Sequence, residues 1–102
     1  MIVTFVRTNG NRRHYYTMHD YQTGLFGTYT LTVIWGPYIE TGRRKVYTFE
    51  TRAEMDRKLR HLVRRRFSLG YSLLYSYSRS AKYRKLFHED PHAEHDVREA
   101  HS

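Results

Sequence analysis

The stretch TYTLTVIWGPYIETGRRKVYTFETRAEMDRKLRHLVRRRF, residues 28–67, changes its hydrophobic period part-way through, and that change decides the fold. Over 28–35 the pattern alternates. Tyr29, Leu31, Val33 and Trp35 share one face of a strand that is β-branched or aromatic throughout. GPYIETG (36–42) reads as a turn, with Gly42 free to take a positive φ, and RRKVYTF (43–49) returns as the partner strand. From Thr51 the spacing turns helical. Thr51 followed by Glu54 is a capping-box pattern, in which each side chain satisfies a backbone N–H at the helix start. Met55, Leu59, Leu62, Val63 and Phe67 form an apolar stripe, and Arg57, Lys58, Arg60, Arg64 and Arg65 fall mostly off it. Gly70 sits where a C-terminal cap belongs.

On the N-terminal side, RRHYYTMHD (12–20) has strand character, with Tyr16 and Met18 on one face and Tyr15, Thr17 and His19 on the other. NGN (9–11) is a turn signal, and MIVTFVRT (1–8) reads as a short edge strand or a flexible arm. YQTGLFG (21–27) is a loop expected to tuck Leu25 and Phe26 inward. On the C-terminal side, YSLLYSY (71–77) reads as a final strand that closes the sheet. From Ser78 the pattern fades, and residues 88–102 have no periodicity and are expected to be disordered. The expected organisation is therefore a strand or arm over 1–10, a folded domain over 11–77 and a tail over 78–102. The expected fold class is α+β: an antiparallel meander of about four to five strands with one long amphipathic helix across a face. With so small a core, aromatic side chains must supply much of the buried area.

A chain of 102 residues is one domain. Its 39% hydrophobic and 27% charged content is ordinary for a soluble globular protein. No apolar run is long enough to span a bilayer. MIVTFVRTNGNRR starts apolar and turns basic, the reverse of a secretory signal, so export is not expected. The absence of cysteine excludes disulfides, cysteine zinc sites and thiol catalysis, and it fits a reducing, cytoplasmic setting. The formal net charge is +8, and all of it lies in residues 1–78, which hold 13 Lys/Arg against 5 acids. Residues 79–102 balance, basic in RSAKYRKLF and acidic in HEDPHAEHDVREAHS. A basic surface can simply keep a protein soluble. It also suits a polyanionic partner, nucleic acid before anionic membrane.

NRRHYY, then GLFGTYTLTVIWG, then TGRRKVYTFETRAEMDRKLRHLVRRRFSLGY resembles, in order, spacing and element type, the WGR domain, a module named for a Trp-Gly-Arg tripeptide. The resemblance covers about residues 11–75 and looks closest to small stand-alone bacterial members. Leu25, Phe26 and Gly27 keep one family pattern, with Gly24 in place of an acid, and Gly70 and Tyr71 keep another. In poly(ADP-ribose) polymerases this domain binds DNA breaks. Its tryptophan stacks on the sugar at a strand end, and its arginine bridges DNA to neighbouring parts of the enzyme. The resemblance implies the stacking role for Trp35, beside Gly36. Pro37 stands where the family has arginine, so that role does not carry over. Gly42 matches the glycine after the turn, Arg43 a position that often holds glutamine, and Lys45 a commonly basic one. Arg13 and His14 align with a phosphate-contacting polar pair, and Arg66 with a basic residue before the terminal aromatic. The catalytic domain of those polymerases has no counterpart, so no enzymatic activity and no cofactor are implied.

Each candidate also has a plainer reading. The face Trp35 shares with Leu31 and Val33 argues for burial, while the resemblance argues for a partly exposed platform, where stacking is worth about 1–3 kcal/mol. The cations of the helix could be merely its solvated face. Yet Glu54 and Asp56 are too few to interleave with them, which favours a phosphate-facing role for Arg64, Arg65 and Arg66. His88, His92 and His95 among Glu89, Asp90, Glu94 and Asp96 have a crude metal-like spacing, but Pro91 interrupts it and a solvated tail is the stronger reading. No nucleophile, base and orienting group come together, and there is no glycine-rich phosphate loop. The expectation is a non-enzymatic module that binds nucleic acid, DNA before RNA, through backbone and ends, using Trp35, Gly36, Arg13, His14, Arg43, Arg44, Lys45, Arg64, Arg65 and Arg66. The alternative is a protein-interaction adaptor on the same scaffold, presenting Tyr15, Tyr38 and Tyr83.

Overall fold

A computed structural model describes residues 1–21, 27–39 and 41–89. The chain runs β1 (Ile2–Asn9), β2 (Arg12–His19), β3 (Tyr29–Tyr38), β4 (Thr41–Phe49), α1 (Arg52–Ser68), β5 (Ser72–Tyr77) and α2 (Ala81–Phe87). The five strands form one antiparallel sheet in the order β4-β3-β2-β1-β5. The architecture is α+β, with α1 laid against the sheet. No described helix is long and apolar enough to cross a membrane.

Alternation sorts the strands as the sequence implies. Val3, Phe5, Tyr16, Met18, Leu31 and Val33 turn to the helical side and are buried. On the other face Thr4 and Thr17 are also buried, and their hydroxyls bond at 2.9 Å. The first strand departs from expectation. It is not an edge strand or an arm, because β2 pairs with it along one side and β5 along the other. Apolar residues on both its faces, Val3 and Phe5 against Ile2 and Val6, suit an interior strand.

The segment after Trp35 is a second departure. Gly36 and Pro37 continue β3 to Tyr38 instead of opening the turn. Trp35 faces Arg43 and Tyr38 faces Thr41, so β3 carries one extra residue, a bulge. A bulge interrupts the ladder, and this is where proline, lacking an N–H, is tolerated within a sheet.

α1 begins at the expected cap. The Glu54 N–H donates to Thr51 Oγ1 at 3.2 Å. The Glu54 carboxylate accepts from the Thr51 hydroxyl at 3.1 Å and does not reach back to the backbone, so the capping box is half made. The helix ends in a Schellman motif: Tyr71 N–H donates to Arg66 O at 3.0 Å and Gly70 N–H to Phe67 O at 3.1 Å, with Gly70 at φ 86°.

α2 is an element the sequence pattern does not announce. It buries Tyr83, Leu86 and Phe87, the i, i+3, i+4 stripe of a two-turn helix, in the same core as α1. It also closes off Asp56, a buried carboxylate of α1. Lys82 Nζ lies 2.9 Å from Asp56 Oδ2, and the Tyr83 hydroxyl donates to Asp56 Oδ1. Burial, aided by the Asp56 hydrogen bond and charge, pushes the Tyr83 phenol up to about 12, against the opposing pull of Arg52. The folded chain therefore holds this proton more tightly than the unfolded chain does. The associated stability is full below pH ~10 and is lost as pH rises towards ~12. Urea midpoints measured from pH 8 to 12 are expected to fall less steeply in Tyr83→Phe than in the wild type. Parallel curves would show that Tyr83 titrates normally.

The expected inward loop at Leu25 and Phe26, Glu40 in the hairpin, and residues 90–102 of the tail, with His92 and His95, lie outside the described residues.

Candidate nucleic-acid interface

Pairing register places Trp35 between two partners. Tyr16 of β2 lies across from it on one side and Arg43 of β4 on the other. Trp35 packs on the rim of the core and keeps part of its surface exposed. Arg43 is exposed beside it.

The row continues beyond Tyr16 through groups that α1 and its cap deliver. The Arg66 guanidinium carbon stands 4.1 Å from the centre of the Tyr16 ring and 5.2 Å from that of Tyr71. The two rings meet edge to face at 6.3 Å. The Schellman turn fixes this arrangement, since Gly70 turns the chain so that Tyr71 falls beneath Arg66. Arg7 of β1 covers the Tyr71 ring at 5.1 Å and donates to Leu69 O at 3.3 Å. Arg66 Nε is buried and has no hydrogen-bond partner among the described residues. Burial raises the Tyr16 phenol, with the Arg66 charge pulling the other way, so at neutral pH the ring is an uncharged seat for that guanidinium.

A second cationic pair lies along β4. Lys45 Nζ and Lys58 Nζ stand 4.9 and 4.7 Å from the centre of the Tyr47 ring. Lys45 is two residues from Arg43 and so shares its face. Trp35, Arg43, Lys45 and Arg66 are thus brought to one side of the sheet, joined by Arg7, Tyr16, Lys58 and Tyr71.

The other expected residues are dispersed. Arg44, opposite Ile34, lies on the far face of the sheet. Arg13 and His14 line an open recess of about 780 Å³ together with Arg12, Tyr15, Pro37 and Tyr38. On β3 its lining starts at Pro37, two residues beyond Trp35, and it includes no residue of the tryptophan row. The run Arg64-Arg65-Arg66 cannot act as a unit, because successive helical residues are rotated by about 100°. Arg66 reaches Tyr16, Arg64 reaches Glu89 beyond α2, and Arg65 stands two turns from Lys58 on the opposite flank from Arg64. Gly36 packs against the hairpin return: a Cβ there would lie 3.0 Å from Thr41 O. Tyr83 is removed from the set of exposed tyrosines, being buried against Asp56. Tyr38 is 71% exposed, and Tyr15 is half-buried.

The sequence profile of the WGR domain matches residues 1–76, about three quarters of the chain. The chain belongs to the WGR domain family. The match begins at the first residue, so β1 is part of the family unit, and it ends within β5, leaving α2 outside. No curated protein and no solved structure matches significantly. WGR domains are binding modules, associated with nucleic acid in polymerases of the poly(ADP-ribose) type.

Proposed function

We propose that this WGR domain binds DNA, in preference to RNA, through its backbone and strand ends and with little sequence readout. The observation that carries this reading is the single row Arg43, Trp35, Tyr16, Arg66, in which a part-exposed indole is flanked by two cations. Trp35 stacks on a terminal sugar or base. Arg43, Lys45 and Arg66 neutralise phosphates, and Arg13 and His14 extend the contact into the neighbouring recess. Stacking on an aromatic face accepts any base, so affinity should depend on salt and end structure more than on sequence. Pro37 supplies no cation, and Arg43 and Lys45 carry the positive charge of the hairpin. The proposed role is binding, without catalysis.

The test is a titration of blunt, nicked and overhang duplexes across a range of salt. Trp35→Ala is expected to weaken binding about 5–150-fold, the equivalent of ~1–3 kcal/mol of stacking, with an unchanged slope of log K against log salt. Arg43→Ala with Lys45→Ala is expected to reduce that slope by about 1.8, or ~0.9 for each phosphate no longer neutralised. Equal binding by all three proteins, or no binding by any of them at low salt, would reject the reading. The adaptor alternative would then rest on Tyr38 and Tyr15 alone.

A further inference from the structure

A second cationic site lies on the other flank of α1, in the crevice between α1 and α2. Its volume is about 230 Å³, and its lining includes Arg60, Arg64, Lys82, Lys85, Asp56 and Glu89. The charges do not cancel. Asp56 is consumed by Lys82, at 2.9 Å, and by the Tyr83 hydroxyl. That leaves Arg60, half-buried, and Arg64 and Lys85, both exposed, facing one remaining acid, Glu89.

Glu89 already places a carboxylate there. Its Oε2 stands 3.8 Å from an Arg64 terminal nitrogen, and its backbone N–H donates to Leu86 O at 3.2 Å, at the end of α2. The pair is long and exposed, with Arg64 65% and Glu89 40% accessible, so it is weak and readily displaced. A crevice of this volume has room for a phosphate and several waters, at ~30 Å³ per water.

We infer that the α1–α2 crevice is a second phosphate-binding site, built by Arg60, Arg64 and Lys85, in which Glu89 holds the place of the anion in the free chain. It rests on the nucleic-acid reading for its ligand, a backbone phosphate, but uses none of the residues of the tryptophan row. Arg64 is thereby assigned to a different contact from Arg66. A strand running past the exposed side of α1 displaces the Glu89 carboxylate with a phosphate oxygen. The two flanks of the helix then hold one polyanion at two points.

Two measurements on the full chain test this. In the first, tripolyphosphate is titrated while backbone amide NMR signals are followed. Signals over residues 60–64 and 85–89 are expected to move in the wild type and to stop moving in Arg64→Ala/Lys85→Ala, whose altered side chains are exposed. Glu89→Gln is expected to tighten tripolyphosphate binding by up to about fivefold, as removal of one exposed ion pair allows. In the second, duplex DNA is titrated across salt, and Arg64→Ala/Lys85→Ala is expected to lower the log–log slope by about 1.8. Unmoved signals at those residues, or a wild-type slope in the double variant while Trp35→Ala still weakens binding, would overturn the crevice alone. A reduced slope in the double variant with no effect of Trp35→Ala would overturn the stacking role and leave the crevice standing. No duplex binding by the wild type would overturn both.

Discussion

Truncating the chain after Ser78 is expected to abolish cooperative folding, although it keeps every residue that the family profile matches. The segment removed contains α2, whose Tyr83, Leu86 and Phe87 are 4%, 9% and 0% exposed. Burying a large apolar side chain contributes about 1.5–3 kcal/mol, so three of them supply about 5–9 kcal/mol. That is comparable with the whole stability of a small domain, about 5–15 kcal/mol. The loss has a polar part as well. Asp56, 7% exposed under α2, loses both the Lys82 ion pair and the Tyr83 hydrogen bond, and its carboxylate is opened to water. Circular dichroism with urea titration reads the outcome, which should be a lost or non-cooperative transition. Truncation after Glu89 keeps α2 and should leave the midpoint unchanged. A cooperative transition at the wild-type midpoint in the shorter protein would show that α2 is dispensable to the core.

That α2 is needed and yet illegible has a physical cause. A seven-residue helix offers only Tyr83, Leu86 and Phe87 as a stripe, set in AKYRKLF beside four cations or small residues, and its N-cap, Ser80, makes no side-chain bond. Two turns give periodicity too little length to stand out. The long elements are legible because their patterns repeat. β3 alternates from Tyr29 to Trp35, and α1 carries Met55, Leu59, Leu62, Val63 and Phe67 between recognisable end signals. The bulge at Gly36 and Pro37 reads as a turn because glycine and proline serve both, and only the register with β4 tells them apart.

The candidate site divides along the same line. Trp35, Arg43 and Lys45 stand out within one hairpin, since their shared face follows from alternation. Tyr16, Tyr71 and Arg7 do not, because their relation to Trp35 and Arg66 depends on pairing between distant strands and on the turn after α1. The triplet Arg64 to Arg66 looks like one patch in the sequence. Helical rotation separates its members, with Arg66 on Tyr16 and Arg64 beside Glu89.

Gly42→Ala is expected to damage fold and interface together. Gly42 has φ 126°, a conformation an alanine adopts only under strain of about 1–3 kcal/mol. A Cβ there would also lie 2.4 Å from the Trp35 carbonyl oxygen and 3.1 Å from its carbonyl carbon. Those are backbone atoms of the facing strand, so no side-chain rotation relieves the contact and the strands themselves must part. The strand that moves carries Trp35 and the strand that pushes carries Arg43, so their juxtaposition is lost first. Gly10→Ala is the proper control. Its φ of 63° also needs a left-handed alanine, but nothing lies within 4 Å of the new Cβ, so it suffers the strain without the clash. Trp35 is the sole tryptophan, so its fluorescence reports on this hairpin directly. In Gly42→Ala the urea midpoint should drop well below that of Gly10→Ala, the native emission should shift to the red, and duplex affinity should fall towards the Trp35→Ala level. If Gly10→Ala and Gly42→Ala lose stability equally and both keep wild-type emission, the close approach of Gly42 to Trp35 is not what holds the indole in place. The row through Tyr16 and Arg66 would then have to position it alone.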